Sequence, residues 1–443
     1  MIGGAGIPPP RRLPAAARLL LSVVLAGLAL LLVLGTASLA APADLPPLII
    51  YNPAVAETIA QITTQTLAYE LAGLTGERPV LVSGVPYTIA TRHSFETQAI
   101  SMATAYAYEQ LASYGLSVTY HNYTYSGRAL RNVVAEKPGW LEPDVIYLLT
   151  AHLDDMPPGP RAPGADDNGS GSVAVLRAAD LLADHDLAYT VRFVLFTGEE
   201  QGLRGSAAYA AHCADQGEDI RGVVNLDMIA YNSDGQPVVE LHASSSVTPS
   251  IELTRLFSEA IAVYGLELIP GQIVDGWAIN RSDQWSFLQR GYPAILAIED
   301  RNDFTPYYHT VTDTLATLDL DYYADFTRAT VATFAHLGRL GEGVLSGTVR
   351  AADTGEPLSA TLTVAAPALA YTATAQVDAG GAYSLLVLAD YYTLTVQPLV
   401  PGYYPALVSD VLVVSATFTE QDVLVWPWQQ LRHWYLPFIC LEG

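Results

Sequence analysis

The chain has 443 residues, a formal net charge of −24 and a sequence pI near 4.5. Its length and its hydrophobic fraction of 51% suit a globular protein of two domains. The acidity excludes nucleic acid as a partner, because holding phosphates takes a basic face, and by itself it signals no more than a well-solvated surface.

In chain order, a targeting segment comes first. Arg11, Arg12 and Arg18 precede an uncharged apolar run over residues 19–34, and the small residues Ser38, Ala40 and Ala41 follow. A basic start, an apolar stretch and an A-x-A-like site mark a secretory signal peptide. The run over residues 19–41 also has the length to span a bilayer. Residues 1–41 are therefore read as either a cleaved signal or an N-terminal membrane anchor, and both readings export the rest. No cysteine closely follows the apolar run, which removes a lipoprotein anchor. The two cysteines, Cys213 and Cys440, do not demand a disulfide and lack the spacing of a structural metal site.

Residues 54–74 predict an amphipathic helix ended by Gly76. A second helix is predicted over residues 95–114, with Ser94 as N-cap and Gly115 as stop. Apolar, β-rich runs follow at residues 117–125, 132–136, 145–150, 189–196, 222–226, 238–241 and 294–298. Among them a helix fits residues 171–182, with Val173, Leu176, Ala179 and Leu182 on one face, and another closes the region at residues 319–340. Strands alternating with helices predict an α/β fold over residues 46–342: a mixed, mostly parallel central sheet flanked by helices. Beyond Gly343 the pattern changes to strand-length runs split by turn pairs such as Thr354–Gly355 and Gly380–Gly381. Residues 345–426 read as a small antiparallel β-sandwich without a catalytic constellation, hence an accessory domain. The tail over residues 427–443 is aromatic, with Trp428, Trp434, Tyr435 and Phe438.

Five short motifs carry chemistry: AHLDD with His152 and Asp154, PGADDNGSGS with Asp166 and Asp167, FTGEEQGLRGS with Glu199 and Glu200, VVNLDM with Asp227, and PYYHTVTDT with His309. Each alone has an ordinary reading as a turn, a cap or a loop histidine. Together, in order and beside the ends of apolar runs, they supply the mix that zinc takes, imidazole nitrogen and carboxylate oxygen. A pair of zinc ions needs about five protein ligands, one of them shared. His152, Asp166, Glu200, Asp227 and His309 provide that number. In open α/β sheets ligands bind beyond the carboxyl ends of strands, so residues distant in sequence converge on one rim. Asp154, two residues past His152, is placed to accept a hydrogen bond from the ring nitrogen that faces away from the metal.

These motifs resemble those of the binuclear zinc aminopeptidases of the MH clan, the group of secreted leucyl aminopeptidases and aminopeptidase Y. The resemblance covers about residues 48–340 and extends to Thr91 and Arg92, NVVAEKPG at 132–139, RSDQWSF at 281–287 and Gly291 to Pro293. It implies an exported enzyme with two Zn2+ ions that hydrolyses N-terminal residues from peptides with a free N-terminus. Asp166 would then bridge the ions, with Glu200 and His309 on one and His152 and Asp227 on the other. Glu199 would be the general base, Asp154 the partner of His152, and the peptide bond after the bridging aspartate, Asp166–Asp167, would be cis. Where the family often has His after the Ser-Asp pair, this chain has Gln284. The alternatives are a glutaminyl-peptide cyclase, which uses one zinc, and a carboxypeptidase-type member acting on acidic dipeptides. The latter calls for basic residues near the pocket, for which Arg281 and Arg301 are candidates. Residues 347–349, 378–383 and 402–403 are similar to carboxypeptidase-regulatory-like sandwiches.

Overall fold

The computed structural model describes residues 49–428. The N-terminal segment 1–41, the tail beyond Trp428 and Cys440 lie outside them, so the leader and the pairing of Cys440 with Cys213 have no structural counterpart here. Among the described residues no helix is long and apolar enough to cross a membrane.

The chain opens with two short helices, α1 (Pro53–Ile59) and α2 (Thr64–Leu74), where the sequence reads as one. The break comes at a cap. Thr63 leaves the helical region and its hydroxyl accepts the Thr66 N–H at 3.1 Å, which starts a new helix rather than continuing the old. A hairpin of β1 (Val80–Val82) and β2 (Val85–Tyr87) follows, then α3 (Thr97–Ser113). Ser94 does not cap α3. Its hydroxyl donates to Asp154 Oδ2 at 3.0 Å and accepts the Gly198 N–H at 2.9 Å, so a residue predicted to start a helix instead ties two loops of the site together.

The main sheet has eight strands: β3 (Ser117–Tyr125), β4 (Arg128–Lys137), β5 (Glu142–His152), β6 (Tyr189–Phe196), β7 (Asp219–Leu226), β8 (Val238–Ala243), β9 (Ile269–Val274) and β10 (Ala294–Glu299). Their order is β3-β4-β6-β5-β7-β10-β8-β9. The four central strands β6, β5, β7 and β10 are mutually parallel, with antiparallel neighbours at β4 and β8. The predicted mixed, mostly parallel sheet is therefore the observed one. The buried runs of β5, β6 and β10 are nearly continuous, as strands covered on both faces require. One cover includes α4 (Gly171–Ala183) and α8 (Leu320–Leu337). The other includes α5 (Arg204–Gln216) and α7 (Gln284–Leu288), which enclose a core of Ile146, Leu148, Val194, Phe196, Tyr209 and Phe287. The helix α6 (Pro249–Val263) packs on α8 and on β8, β9 and β10. The sequence reading had not singled out α5, α6, α7 or β9.

The sandwich follows directly, and both belong to one compact unit. Its first sheet joins β11 (Glu342–Ala351) to β14 (Ala382–Leu388), β17 (Phe418–Glu420) and β18 (Val423–Val425). Its second runs β13 (Tyr371–Val377), β12 (Ala360–Ala366), β15 (Asp390–Pro398), β16 (Ala406–Val413). The second sheet is antiparallel throughout, as predicted. In the first, β17 and β18 run parallel to β11, so the sandwich is mixed. The strict alternation of burial along β12, with Ala360, Leu362, Val364 and Ala366 inward, shows one face packed and one solvated. Trp140 meets Phe418 edge to face, with ring centroids 5.6 Å apart, where the sandwich touches the α/β layers.

Candidate metal centre

The site forms where the four parallel strands end. His152 is the last residue of β5, Glu199 and Glu200 follow β6, Asp227 follows β7, and His309 lies in the loop after β10. His152 Nε2 stands 3.2 Å from Asp227 Oδ1 and 3.3 Å from Asp167 Oδ1. His309 Nε2 stands 3.2 Å from Asp167 Oδ2 and 3.0 Å from Glu200 Oε2. Two donor groups result, His152 with Asp167 and Asp227, and Asp167 with Glu200 and His309. In each group the donor atoms all lie within 4.8 Å of one another. Asp167 belongs to both, offering one oxygen to each side.

This geometry corrects the reading of Asp166. The two aspartates are adjacent, but only Asp167 faces the histidines. Asp166 turns into the domain, where its Oδ1 accepts the Ala230 N–H at 2.9 Å and its main-chain carbonyl accepts the Ser170 hydroxyl at 2.8 Å. Its N–H donates to Asp313 Oδ1 at 2.9 Å, and that of Asp167 to Asp313 Oδ2 at 3.0 Å. The cis peptide bond is likewise one residue on, at Asp167–Asn168. Asp167 and Asn168 are non-helical at the start of the segment that leads into α4, and this kink decides which carboxylate points outward. Gly164 enters the segment at φ +46°, and a Cβ there would lie 2.4 Å from the Asp167 carbonyl oxygen, so no other residue fits without moving the shared ligand.

Asp154 lies beside His152, but the contact differs from the one predicted. The chain leaves the strand at His152, so the main-chain carbonyl of Asp154 faces the ring Nδ1 at 3.1 Å, while its carboxylate Oδ1 stands 3.8 Å away. That carboxylate instead accepts the Ser94 hydroxyl and the Glu199 N–H, the latter at 3.3 Å. It therefore orients the turn that carries Glu199. Arg92, fully buried, holds the surrounding loops. Its guanidinium donates to the carbonyls of Leu74, Leu153, Pro163 and Gly164 at 2.7 to 2.9 Å.

The charges respond strongly to this crowding. Burial raises Glu200 to about 8, and burial raises Glu199 well above the usual carboxylate range. Burial would raise Asp167 too, but hydrogen bonds from His152 and His309 outweigh it and hold it below that range. Burial would lower His309, yet its bonds to Asp167 and Glu200 push it up to about 10. Glu200 Oε1 is buried with no hydrogen-bond partner. Imidazole nitrogens opposite carboxylate oxygens, one of them orphaned, fit a pair of divalent cations of the zinc class.

Behind the donors sit buried acids that the sequence reading did not single out. Asp283 rises to about 7 and Asp313 to about 8, both chiefly through burial. Glu299 is raised well above the usual range by burial and then by the neighbouring Asp166. Asp283 stands in RSDQWSF and Asp313 in PYYHTVTDT, and nothing in the spacing of either motif signals that these two are buried. The donors floor a cavity of about 330 Å³ whose walls include Met228, Trp277, Leu296, Ile298, Phe304 and Tyr308, with Arg281 and Ser282.

Residues 132–334 match the model of Peptidase family M28. The chain is 31% identical over 221 residues to a probable leucine aminopeptidase of Trichophyton verrucosum, covering 47% of this chain and 57% of the relative. It is 32% identical over 226 residues to leucine aminopeptidase 1 of Trichophyton rubrum, covering 48% and 59%. It thus spans less than two thirds of these relatives' length. Among solved structures, the LapA aminopeptidase of Legionella pneumophila superposes with a TM-score of 0.53 at 20% identity, over 68% of this chain and 81% of that one. LapB of the same organism does so with a TM-score of 0.54 at 22% identity, over 66% and 77%. These two are similar in fold.

Proposed function

We propose that this chain, whose residues 132–334 match Peptidase family M28, is an exported two-zinc aminopeptidase that releases N-terminal residues from peptides with a free N-terminus. The observation that carries the reading is the sharing of Asp167 between two donor groups, with a carboxyl group, Glu199, beside both and belonging to neither. His152 and Asp227 would hold one ion, Glu200 and His309 the other, and Asp167 both. The ions, when bound, supply Lewis-acid polarisation of the scissile carbonyl and a water acidic enough to react near neutral pH.

The chain's own residues do the rest. Glu199, whose basicity burial raises, takes a proton from the attacking water and returns it to the leaving amine. Asp154 fixes the Glu199 main chain and, through its carbonyl, the His152 ring. The donor carboxylates face the substrate's α-ammonium group, and the apolar walls from Met228 to Tyr308 accept its first side chain. Two donor groups favour hydrolysis over the one-zinc cyclase reaction. Export rests on the basic and apolar pattern of residues 1–41, and N-terminal sequencing of protein recovered outside the producing cell checks it.

The deciding experiment is Glu199→Gln. Turnover of leucine p-nitroanilide should fall about a thousandfold while elemental analysis still finds two zinc ions per chain. Loss of zinc along with activity would make Glu199 a ligand rather than a base, and a single zinc in the wild-type protein would return the cyclase reading.

A further inference from the structure

We propose that Arg281 reads a carboxylate on the substrate, placed within about one residue of the scissile bond. The inference rests on the aminopeptidase reading above and names the class of peptide it prefers.

The cavity floor is made of His152, Asp167, Glu199, Glu200 and Asp227, in a chain of net charge −24. The two ions of the proposed function would offset the charge of that floor, so recognition of a further charged group on the substrate falls to the cavity wall. Arg281 is the only Arg or Lys side chain that lines the cavity. Most arginines of the described residues are committed elsewhere. Arg92 holds loop carbonyls, Arg192 pairs with Glu136 and Glu218, Arg328 with Asp325, and Arg339 with Glu342. Arg281 has no ion pair and no side-chain hydrogen bond among the described residues, although it lines the same cavity as Asp167, Glu199, Glu200 and Asp227.

Its backbone, in contrast, is fixed. The Arg281 N–H donates to the Ala278 carbonyl at 3.0 Å. The next residue, Ser282, accepts from Asn225 Nδ2 at 2.8 Å. The side-chain amide of Gln284 donates to the carbonyls of Ala278 and Ile279 at 3.2 and 3.0 Å. A free guanidinium on a pinned loop is prepared for a ligand at little ordering cost. The wall beside it repeats the charge. The Arg301 guanidinium lies over the Trp277 ring, 5.1 Å from its centre, and Trp277 lines the cavity. Trp277 is itself held, its Nε1–H donating to Glu240 Oε2 at 2.9 Å, and the same oxygen pairs with the buried His242 at 2.8 Å. The rim thus carries two guanidinium groups, Arg281 on the cavity wall and Arg301 over the Trp277 ring. A short peptide with its ammonium on the floor presents a carboxylate to the rim, and a planar guanidinium suits that group through paired hydrogen bonds.

Two sources supply such a carboxylate: the C-terminus of a dipeptide, or an acidic first residue. The test measures kcat/KM for Leu-Ala against Leu-alaninamide, and for Glu-alaninamide against Leu-alaninamide, in wild type, Arg281→Gln and Arg281→Lys. Arg281→Gln should lower at least one of the two ratios about tenfold, mainly through KM, and Arg281→Lys should recover part of it. A fall in the first ratio identifies the dipeptide C-terminus, and a fall in the second the acidic side chain. Equilibrium binding of Leu-Ala and of Glu-alaninamide to Glu199→Gln, with and without Arg281→Gln, repeats the comparison without turnover. Both ratios and both binding constants unchanged would overturn the proposal. If the wild type cleaves none of these free-amine substrates, the aminopeptidase reading fails instead.

Discussion

The α/β layers and the sandwich are both well-packed β structures, yet they bury opposite things. Beneath the strand ends of the first lie Arg92, Asp154, Asp155, Asp166, Asp167, Asp283, Glu299 and Asp313, all at 5% exposure or less. Among the described residues, no Asp, Glu, Lys, Arg or His after Thr333 is buried as a whole residue, and the sandwich interior is Leu, Val, Ala and Tyr. Burying an uncompensated carboxylate costs several kcal/mol, roughly, and proteins accept that cost where chemistry requires it. Where the chain carries chemistry and where it carries only shape can therefore be separated by what it hides.

The largest expected effect lies within the charged interior and tests which aspartate does what. Asp167→Asn should abolish activity and release metal from both groups, whereas Asp166→Asn should keep the metal and lower only stability. Elemental analysis of the two purified variants checks it, and metal loss from Asp166→Asn alone would reverse the assignment. Next comes pH. In the metal-free protein His309 keeps its proton up to about 10 and Glu200 up to about 8, so an incoming cation must displace protons. Zinc uptake by chelator-stripped protein should therefore strengthen as pH rises towards 8 and release protons on binding. Titration calorimetry in buffers of different ionisation enthalpy reads both. The sign for stability is the reverse. The raised His309 contributes to the stripped fold fully below 6.5, its unperturbed value, and the contribution is lost as pH rises through about 10. Melting of the stripped protein should show this loss.

In the apolar interior the effects are smaller and of another kind. Leu362→Ala, at a fully buried position, should cost about 2–4 kcal/mol in urea unfolding and leave zinc content intact. If it also loosened the metal, the two regions would not be separable in function. Smallest of all, Phe418→Ala removes the ring that meets Trp140 and should cost less than about 1 kcal/mol.

The same contrast explains what was legible in the sequence. Strands buried on both faces, such as β5, β6 and β10, stand out as apolar runs, and the sandwich strands stand out by alternation. The helix α5, with Ala, Ser, His and Asp among its residues, offers no clear stripe and was passed over. In the site, donor types and strand ends were readable because chemistry limits them to few residues. The choice between Asp166 and Asp167 was not, because a backbone kink decides it and both neighbours have the same side chain. Asp154 was found as the partner of His152, but the contact runs through its carbonyl, since the strand stops one residue too soon for the predicted geometry. Ser94 shows the converse: a good local cap signal overridden by a tertiary bond to Asp154.

The shared carboxylate also sets an order of events. Its partners arrive along the whole domain, so a growing chain holds all three donors of the first group once Asp227 is made, but lacks the second group's His309 until after β10. Domains acquire such long-range contacts last. Capture of the full pair therefore follows synthesis of nearly all of the α/β region, and a chain cut anywhere before His309 lacks a donor. If both donor groups bind ions as proposed, metal content would record completeness: a molecule holding two ions would have been made as far as the loop that follows its last central strand.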